Sequence, residues 1–155
     1  EVINNARRLK MAVRGGVAEH HLALQLRQET CVHAVATMPG DGQPDLLVTL
    51  SSGATVRVEC KNCLRGRTAA GLPRVDFMRT RVSKADPCSR YYAKEDFEVL
   101  AACLHPVTQI WQFAFTLTRS MAPHRTCLGK LDNRVTVDSM WARSFDEIVA
   151  RLLKD

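Results

Sequence analysis

The spacing of hydrophobic residues predicts two helices at the start of the chain. Apolar residues recur at helical intervals over residues 2–13, and a second helical stripe runs over residues 17–28. Gly15 and Gly16 lie between the two stripes, and paired glycines favour a break. We therefore expect a short opening helix, a turn at the glycine pair and a second helix with Glu19 at the edge of its buried stripe.

Alternation of apolar and polar residues predicts a β-hairpin in the middle of the chain. One strand would cover residues 45–50 and the other residues 56–61. A two-residue turn would place apolar residues opposite acidic ones. A three-residue loop over residues 51–53 instead pairs Leu46 with Val58 and collects the apolar side chains on one face.

The same register places two acidic residues opposite each other. Asp45 follows Pro44 at the start of the first strand, and Glu59 lies near the end of the second. Directly opposed residues have Cβ atoms about 5 Å apart, so the two carboxylates would repel each other. Lys61 follows on the same face. A divalent cation would turn this repulsion into a coordination site, and a neighbouring lysine could orient water or offset phosphate charge.

The later hydrophobic runs predict the rest of a mixed sheet. Strands are expected over residues 75–80, 97–104 and 110–117, with a short strand over 134–137 and a final helix over 145–153. Trp111 alternates with two phenylalanines and is expected to pack inward. The chain has 155 residues and 46% hydrophobic composition, which is the size and composition of one globular domain spanning residues 1–155.

The positive charge of the chain is concentrated in one segment. The net charge is +6, and residues 61–90 contain eight basic residues against two acidic ones, so this segment accounts for all of it. Such a surface attracts polyanions, and it begins at the predicted metal centre. The basic residues are Lys61, Arg65, Arg67, Arg74, Arg79, Arg81, Lys84 and Arg90.

No apolar run is long enough to span a membrane and no signal peptide is evident, so we expect a cytoplasmic protein with reduced cysteines. The first residue is Glu1, which is consistent with a piece of a longer protein whose other domains are absent.

Cys60 and Cys63 have the spacing of zinc ligands, and His124 with Cys127 could complete a zinc site. Tyr91 and Tyr92, like the five histidines, have no partner set for a catalytic role.

Pro44-Asp45, Glu59-x-Lys61 and the upstream helix with Glu19 resemble the PD-(D/E)xK nuclease superfamily, which includes restriction endonucleases and Holliday-junction resolvases. The match is confined to about residues 15–62. The resemblance implies an α/β (α+β) fold whose restriction-endonuclease-like core is a central mixed sheet of about five strands flanked by helices. It also implies that Asp45 and Glu59 bind metal, that Lys61 is catalytic and that Glu19 is an auxiliary carboxylate.

From this resemblance we expect a magnesium-dependent endonuclease that hydrolyses DNA, with Mn²⁺ able to substitute for Mg²⁺. The carbonyl of Cys60 is a further expected metal ligand. Restriction or defence is the expected role, and a homodimer is expected if both strands are cut. A non-catalytic DNA-binding module, a zinc-stabilised interaction domain and a repair or junction-resolving nuclease are the alternatives. The predicted phosphate contacts are Arg65, Arg67, Arg79, Arg81, Lys84 and Arg90.

Overall fold

A five-stranded mixed sheet flanked by helices forms the centre of the fold, which confirms the predicted fold class. The computed structural model describes residues 2–154. The strand order is β1-β2-β3-β5-β6, in which β3 and β5 are parallel and the other neighbours antiparallel. The elements are α1 (Val2–Leu26), β1 (Val32–Thr37), β2 (Leu46–Leu50), β3 (Thr55–Asn62), β4 (Arg74–Asp76), β5 (Val99–Cys103), α2 (His105–Thr108), β6 (Phe113–Leu117), β7 (Arg134–Thr136) and α3 (Phe145–Leu152).

The hairpin formed by β2 and β3 has the predicted register. Leu46 pairs with Val58, and Val48 pairs with Val56. Gly53 has a φ of 88°, the left-handed conformation that the final position of a three-residue loop requires. The register of this hairpin, which positions the candidate metal ligands, is therefore confirmed.

The predicted break at Gly15 and Gly16 is wrong, because α1 continues through both glycines. A glycine inside a helix costs only about 1 kcal/mol relative to alanine. The C-terminal half of α1 buries Ala18, Leu22 and Leu26 against the sheet, and this packing offsets the cost. The side chain of Val2, predicted to join the opening stripe, lies outside the described side chains.

Two predictions about strands need correction. Residues 75–80 were expected to form a strand of the main sheet, whereas β4 covers only Arg74–Asp76 and pairs with β7 in a separate two-stranded sheet. The fifth strand of the main sheet is instead β1, which was not predicted. It is an edge strand whose residues are half-buried or exposed, so its sequence lacks the apolar alternation of β2.

Two hydrophobic clusters lie on opposite faces of the main sheet. The first contains the buried stripe of α1, one face of β2 and β3, and α3. The second lies under β4, β7 and the loop before β5, and it includes Phe77, Tyr92 and Phe97. No helix within residues 2–154 is both long and apolar enough to cross a membrane.

The expectation that every cysteine is reduced is wrong for one pair. Cys88 and Cys127 form a disulfide that joins the short 3-10 helix Pro87–Arg90 to the loop before β7. The fold brings these two residues, which are 39 positions apart in the chain, to a Cα–Cα distance of 5.6 Å. Cys60, Cys63 and Cys103 are free and buried, as small apolar core residues often are.

Candidate active site

The candidate site lies where β2 and β3 begin to separate. Asp45 immediately precedes β2, and its Oδ2 atom accepts a hydrogen bond of 2.8 Å from the backbone N–H of Cys60. A strand directs both the N–H and the C=O of a given residue to the same edge. The carbonyl of Cys60 therefore lies on the edge that faces Asp45, beyond the last described pair of the hairpin.

Glu59 and Lys61 project together from β3 on the face opposite α1. The Nζ atom of Lys61 lies 3.0 Å from Oε1 of Glu59, and Glu59 is only 4% exposed. Burial acts to lower the pKa of Lys61, but the charge of Glu59 and the contact with Tyr92 outweigh it and raise that pKa above its usual range. Lys61 is therefore held as a cation.

Tyr92 completes this group of side chains and was missed by the sequence analysis. Its hydroxyl donates a hydrogen bond of 2.5 Å to Oε1 of Glu59, and Lys61 Nζ lies 5.4 Å from the centre of its ring. Phe77 stacks on the ring at 4.6 Å. Burial raises the pKa of Tyr92, so the hydroxyl keeps its proton. The sequence contained no signal for this role, because Tyr92 is 33 residues from Glu59.

The pKa of Asp45 is raised to about 7. Burial is the largest cause, followed by the charge of Glu59, while the hydrogen bond from Cys60 acts in the opposite direction. Two buried carboxylates close to each other cannot both ionise without cost unless a cation joins them. Asp45 and Glu59 therefore interact as two neighbouring carboxylates, as the register predicted.

Glu19 lies on α1 and interacts electrostatically with Glu59 and Lys61. It is half-buried, and its pKa is raised by burial and then by the charge of Glu59, whereas Lys61 lowers it. The charge of Glu19 also raises the pKa of Asp45. The fold therefore brings all four predicted catalytic side chains into one electrostatic group, although they come from α1, the start of β2 and β3.

The donor chemistry of this group fits a hard cation such as magnesium. Mg²⁺ binds through oxygen, usually takes one or two carboxylates from the protein and retains several waters. Asp45, Glu59 and the carbonyl of Cys60 can supply such a set. Within residues 2–154, no group of three or more histidine, cysteine, aspartate or glutamate side chains is placed so that it could hold a metal ion, so the candidate site has two carboxylates and a backbone carbonyl. An open site of this kind leaves positions for water and for a substrate oxygen.

The zinc alternative lacks its ligand set. Cys60 lies in the core beneath α1, and Cys63 lies in the cluster on the other side of the sheet. Cys127 is bonded to Cys88, and Nδ1 of His124 accepts a hydrogen bond of 3.0 Å from the backbone N–H of Cys127. The four proposed zinc ligands therefore do not meet.

One of the six predicted phosphate-binding residues is half-buried, and the other five are exposed. Arg79 pairs with Asp96 at 2.6 Å and lies over the ring of Tyr92 at 5.1 Å, so it supports the site from within the fold. Arg81 is paired with Asp41 at the surface, and Arg67 donates to the carbonyl of Gly71. The remaining residues are exposed, namely Arg65, Lys84 and Arg90.

Trp111 departs from its predicted core position. It is 36% exposed and precedes β6, whereas Phe113 and Phe115 are buried as expected. His21 and His105 stack on Trp111, each with a ring-centre distance of 3.9 Å. The helical turn α2 lies between β5 and β6 and places His105 and Trp111 close together.

Comparison with known proteins supports the fold. No protein-family model matches the chain, and no curated protein matches it in sequence. The solved structure of a bacterial homing endonuclease is similar, with a TM-score of 0.53, 18% identity and coverage of 82% of this chain and 77% of that chain. At this level of identity, the likeness establishes a shared fold, and function must be argued from the site.

Proposed function

We propose that this protein is a divalent-metal-dependent endonuclease that hydrolyses phosphodiester bonds in DNA. The observation that carries the proposal is the carboxylate pair of half-buried Asp45 and buried Glu59, with the cation of Lys61 at 3.0 Å from Glu59. A buried pair of this kind destabilises a fold unless it binds a cation. The fold shared with a bacterial homing endonuclease supports the same class of chemistry.

The proposed metal ligands are Asp45, Glu59 and the carbonyl of Cys60, with Mg²⁺ as the cation and Mn²⁺ as a substitute. When bound, the metal would polarise the phosphate and lower the pKa of a coordinated water. Glu59 is pre-oriented for this role because Tyr92 and Lys61 both bind its Oε1 atom. The second carboxylate oxygen of Glu59 has no described hydrogen bond, so it is available as a ligand.

Lys61 has the position and charge of a group that acts on the reacting phosphate. Its ammonium group can donate a hydrogen bond to the attacking water and offset the negative charge that develops on the phosphate. Glu19 lies close enough to interact with the charges of both Glu59 and Lys61, and burial raises its pKa. We propose that Glu19 orients water at the edge of the metal centre.

Restriction or defence is the proposed biological role, with cleavage of duplex DNA by a homodimer. One centre cuts one strand at a time, so two copies would be needed to cut both strands together. Repair and junction resolution are alternatives that use the same chemistry. The choice among them depends on the substrate, because recognition residues lie on loops that have no general pattern.

A cleavage assay on linear, supercoiled, branched, single-stranded and modified DNA tests the proposal. With Mg²⁺ or Mn²⁺, the wild-type protein should nick or cut at least one substrate, and Lys61→Ala should not. Isothermal titration with Mn²⁺ gives a second readout that needs no substrate. Binding should be lost in Asp45→Asn and kept in Lys61→Ala.

The contrary outcomes distinguish the alternatives. Tight DNA binding with no cleavage under any metal would indicate a non-catalytic DNA-binding module. Absence of both Mn²⁺ binding and cleavage would contradict the metal centre. Stoichiometric zinc that is lost together with folding on chelation would favour an interaction domain.

A further inference from the structure

A groove of 640 Å³ opens beside the candidate active site, between α1 and the segments that follow β3 and β5. Both sides of the groove continue directly from the site. Asn62 and Arg65 follow Lys61 along the chain, and Arg14 precedes Glu19 by five residues on α1. Five residues of helix span about 7.5 Å, so Arg14 lies one and a half helical turns from Glu19.

The lining of this groove combines positive charge with apolar residues, among them Val13, Val17 and Pro106. It contains the exposed side chains of Arg14 and Arg65 and no aspartate or glutamate. Asn62 and Gln109 add neutral polar groups, and the Asn62 amide donates a hydrogen bond of 3.3 Å to the carbonyl of Arg14. That bond fastens α1 to the end of β3, so the two arginines are held on opposite sides of one channel.

The aromatic residue at the groove is unavailable for stacking on a nucleobase. His21 lies on one side of Trp111 with an interplanar angle of 11°, and His105 stacks on it at 17°. The stack therefore occupies the ring faces that a base would need. It also joins α1 to α2, which sets the distance between the two walls. The groove consequently offers charge and hydrogen bonds but no stacking platform, as expected for contacts to a nucleic-acid backbone.

We infer that this groove binds the sugar-phosphate backbone of the DNA strand next to the phosphate that is cut. Arg14 and Arg65 pair with backbone phosphates, and the stack of His21, Trp111 and His105 holds the groove open at the required width. The inference rests on the proposed nuclease function and adds a binding surface to it. Arg65 was predicted from the charged segment, whereas Arg14 lies on α1, well outside it.

The salt dependence of DNA binding tests the two arginines. Affinity for a short fluorescent duplex of arbitrary sequence is measured without divalent metal, over a range of salt concentrations. The slope of log K against log salt is negative, and each lost phosphate contact reduces its magnitude by about 0.9. Arg14→Gln with Arg65→Gln should therefore reduce the magnitude of the slope by about 1.8 relative to wild type.

A matched control removes two cations beside α3, far from the groove. Arg143 and Lys154 flank α3 and are exposed, and α3 packs near the C-terminal end of α1 through the contact between Asp146 and Thr30. Arg143→Gln with Lys154→Gln should leave the slope unchanged. An unchanged slope in the groove variant, or an equal fall in the control, would overturn the inference.

Trp111→Ala tests the stack separately. Loss of the ring removes no charge, so the slope should stay constant while the dissociation constant rises several-fold. An unchanged dissociation constant would overturn the role of the stack.

Because binding is measured without metal, the result does not depend on cleavage. If the groove variant reduces the magnitude of the slope but the protein never cleaves DNA, the groove is supported as a DNA-binding surface and the nuclease function is rejected. Cleavage with no change of slope would retain the nuclease and reject the groove.

Discussion

The two faces of β3 carry side chains of opposite character. Val58 and Cys60 point towards α1 and join an apolar core. Glu59 and Lys61 alternate with them and are held on the opposite face beside Tyr92. Both faces belong to one strand, because successive side chains along a strand point to opposite sides of the sheet.

This difference shows how the fold can carry a costly site. Burial of apolar side chains on the α1 face stabilises the protein by about 1.5–3 kcal/mol per large residue. Burial of charged groups on the other face contributes little or destabilises, because desolvation offsets the attraction within the ion pair. The first face should therefore supply most of the stability, and the second should determine activity.

The largest expected effect is on activity, in Lys61→Ala. Removal of the cation should lower the rate of DNA cleavage by about 10²–10³-fold, because developing phosphate charge loses its neighbouring donor. The midpoint of thermal unfolding should also fall in the metal-free protein, because the variant leaves Glu59 buried without its cation. The exposed Lys154→Ala serves as the control, and comparable loss of activity in both variants would argue against a specific role for Lys61.

Neighbouring residues on opposite faces provide the sharpest test of the comparison. Leu46→Ala should lower the free energy of unfolding by about 2–5 kcal/mol, because Leu46 is fully buried beneath α1. Asp45→Asn should abolish cleavage without that loss of stability, because it removes a carboxylate whose charge is disfavoured by burial and by Glu59. Urea unfolding of both variants makes the measurement. A large destabilisation in Asp45→Asn would mean that the carboxylate has a structural role.

The stability of the metal-free protein should depend on pH through Asp45. Its pKa is about 7 in the folded state and near the ordinary 3.8 when unfolded, so the folded state binds more protons between these values. This contribution to stability is complete below the unfolded pKa and is lost as pH rises to about 7. Asp45→Asn should remove that dependence. Urea unfolding curves of both proteins across this range provide the check, and identical pH profiles would contradict the shift.

Tyr92→Phe should have an intermediate effect. The variant keeps the ring but loses the hydrogen bond that orients Glu59, and loss of such a supporting bond typically costs about 10–100-fold in metal affinity or activity. Mn²⁺ titration measures the change. Tyr91→Phe is the matched control, because the ring of Tyr91 lies 4.1 Å from the ring of His124 and Tyr91 has no contact with Glu59 among the described interactions. Equal losses in the two variants would exclude an orienting role.

The smallest expected effect concerns Gly16 on α1. A Cβ atom at this position meets open space, so Gly16→Ala should stabilise the protein by about 0.5–1 kcal/mol. Gly53→Ala should do the opposite, because Gly53 has a φ of 88°. Thermal unfolding of both variants makes the comparison. Destabilisation by Gly16→Ala would indicate that α1 must bend at this glycine.

The structure shows why some elements could be predicted and others could not. The register of the hairpin followed from period-two alternation and from the loop at Gly53, both of which are local in the sequence. The break at Gly15 and Gly16 was wrong because tertiary packing of Leu22 and its neighbours overrides a weak local preference. Strand β1 was missed because an edge strand has little apolar pattern of its own.

The amino-acid sequence by itself determined which side chains of the hairpin share a face, and therefore that Asp45, Glu59 and Lys61 meet. Backbone alternation and a short loop leave that outcome little freedom. Only the tertiary structure decided that Tyr92 orients Glu59 and that Trp111 lies between two histidines. These contacts join segments distant in the chain, and they depend on how α1 and the loops pack on the sheet, which no local period specifies.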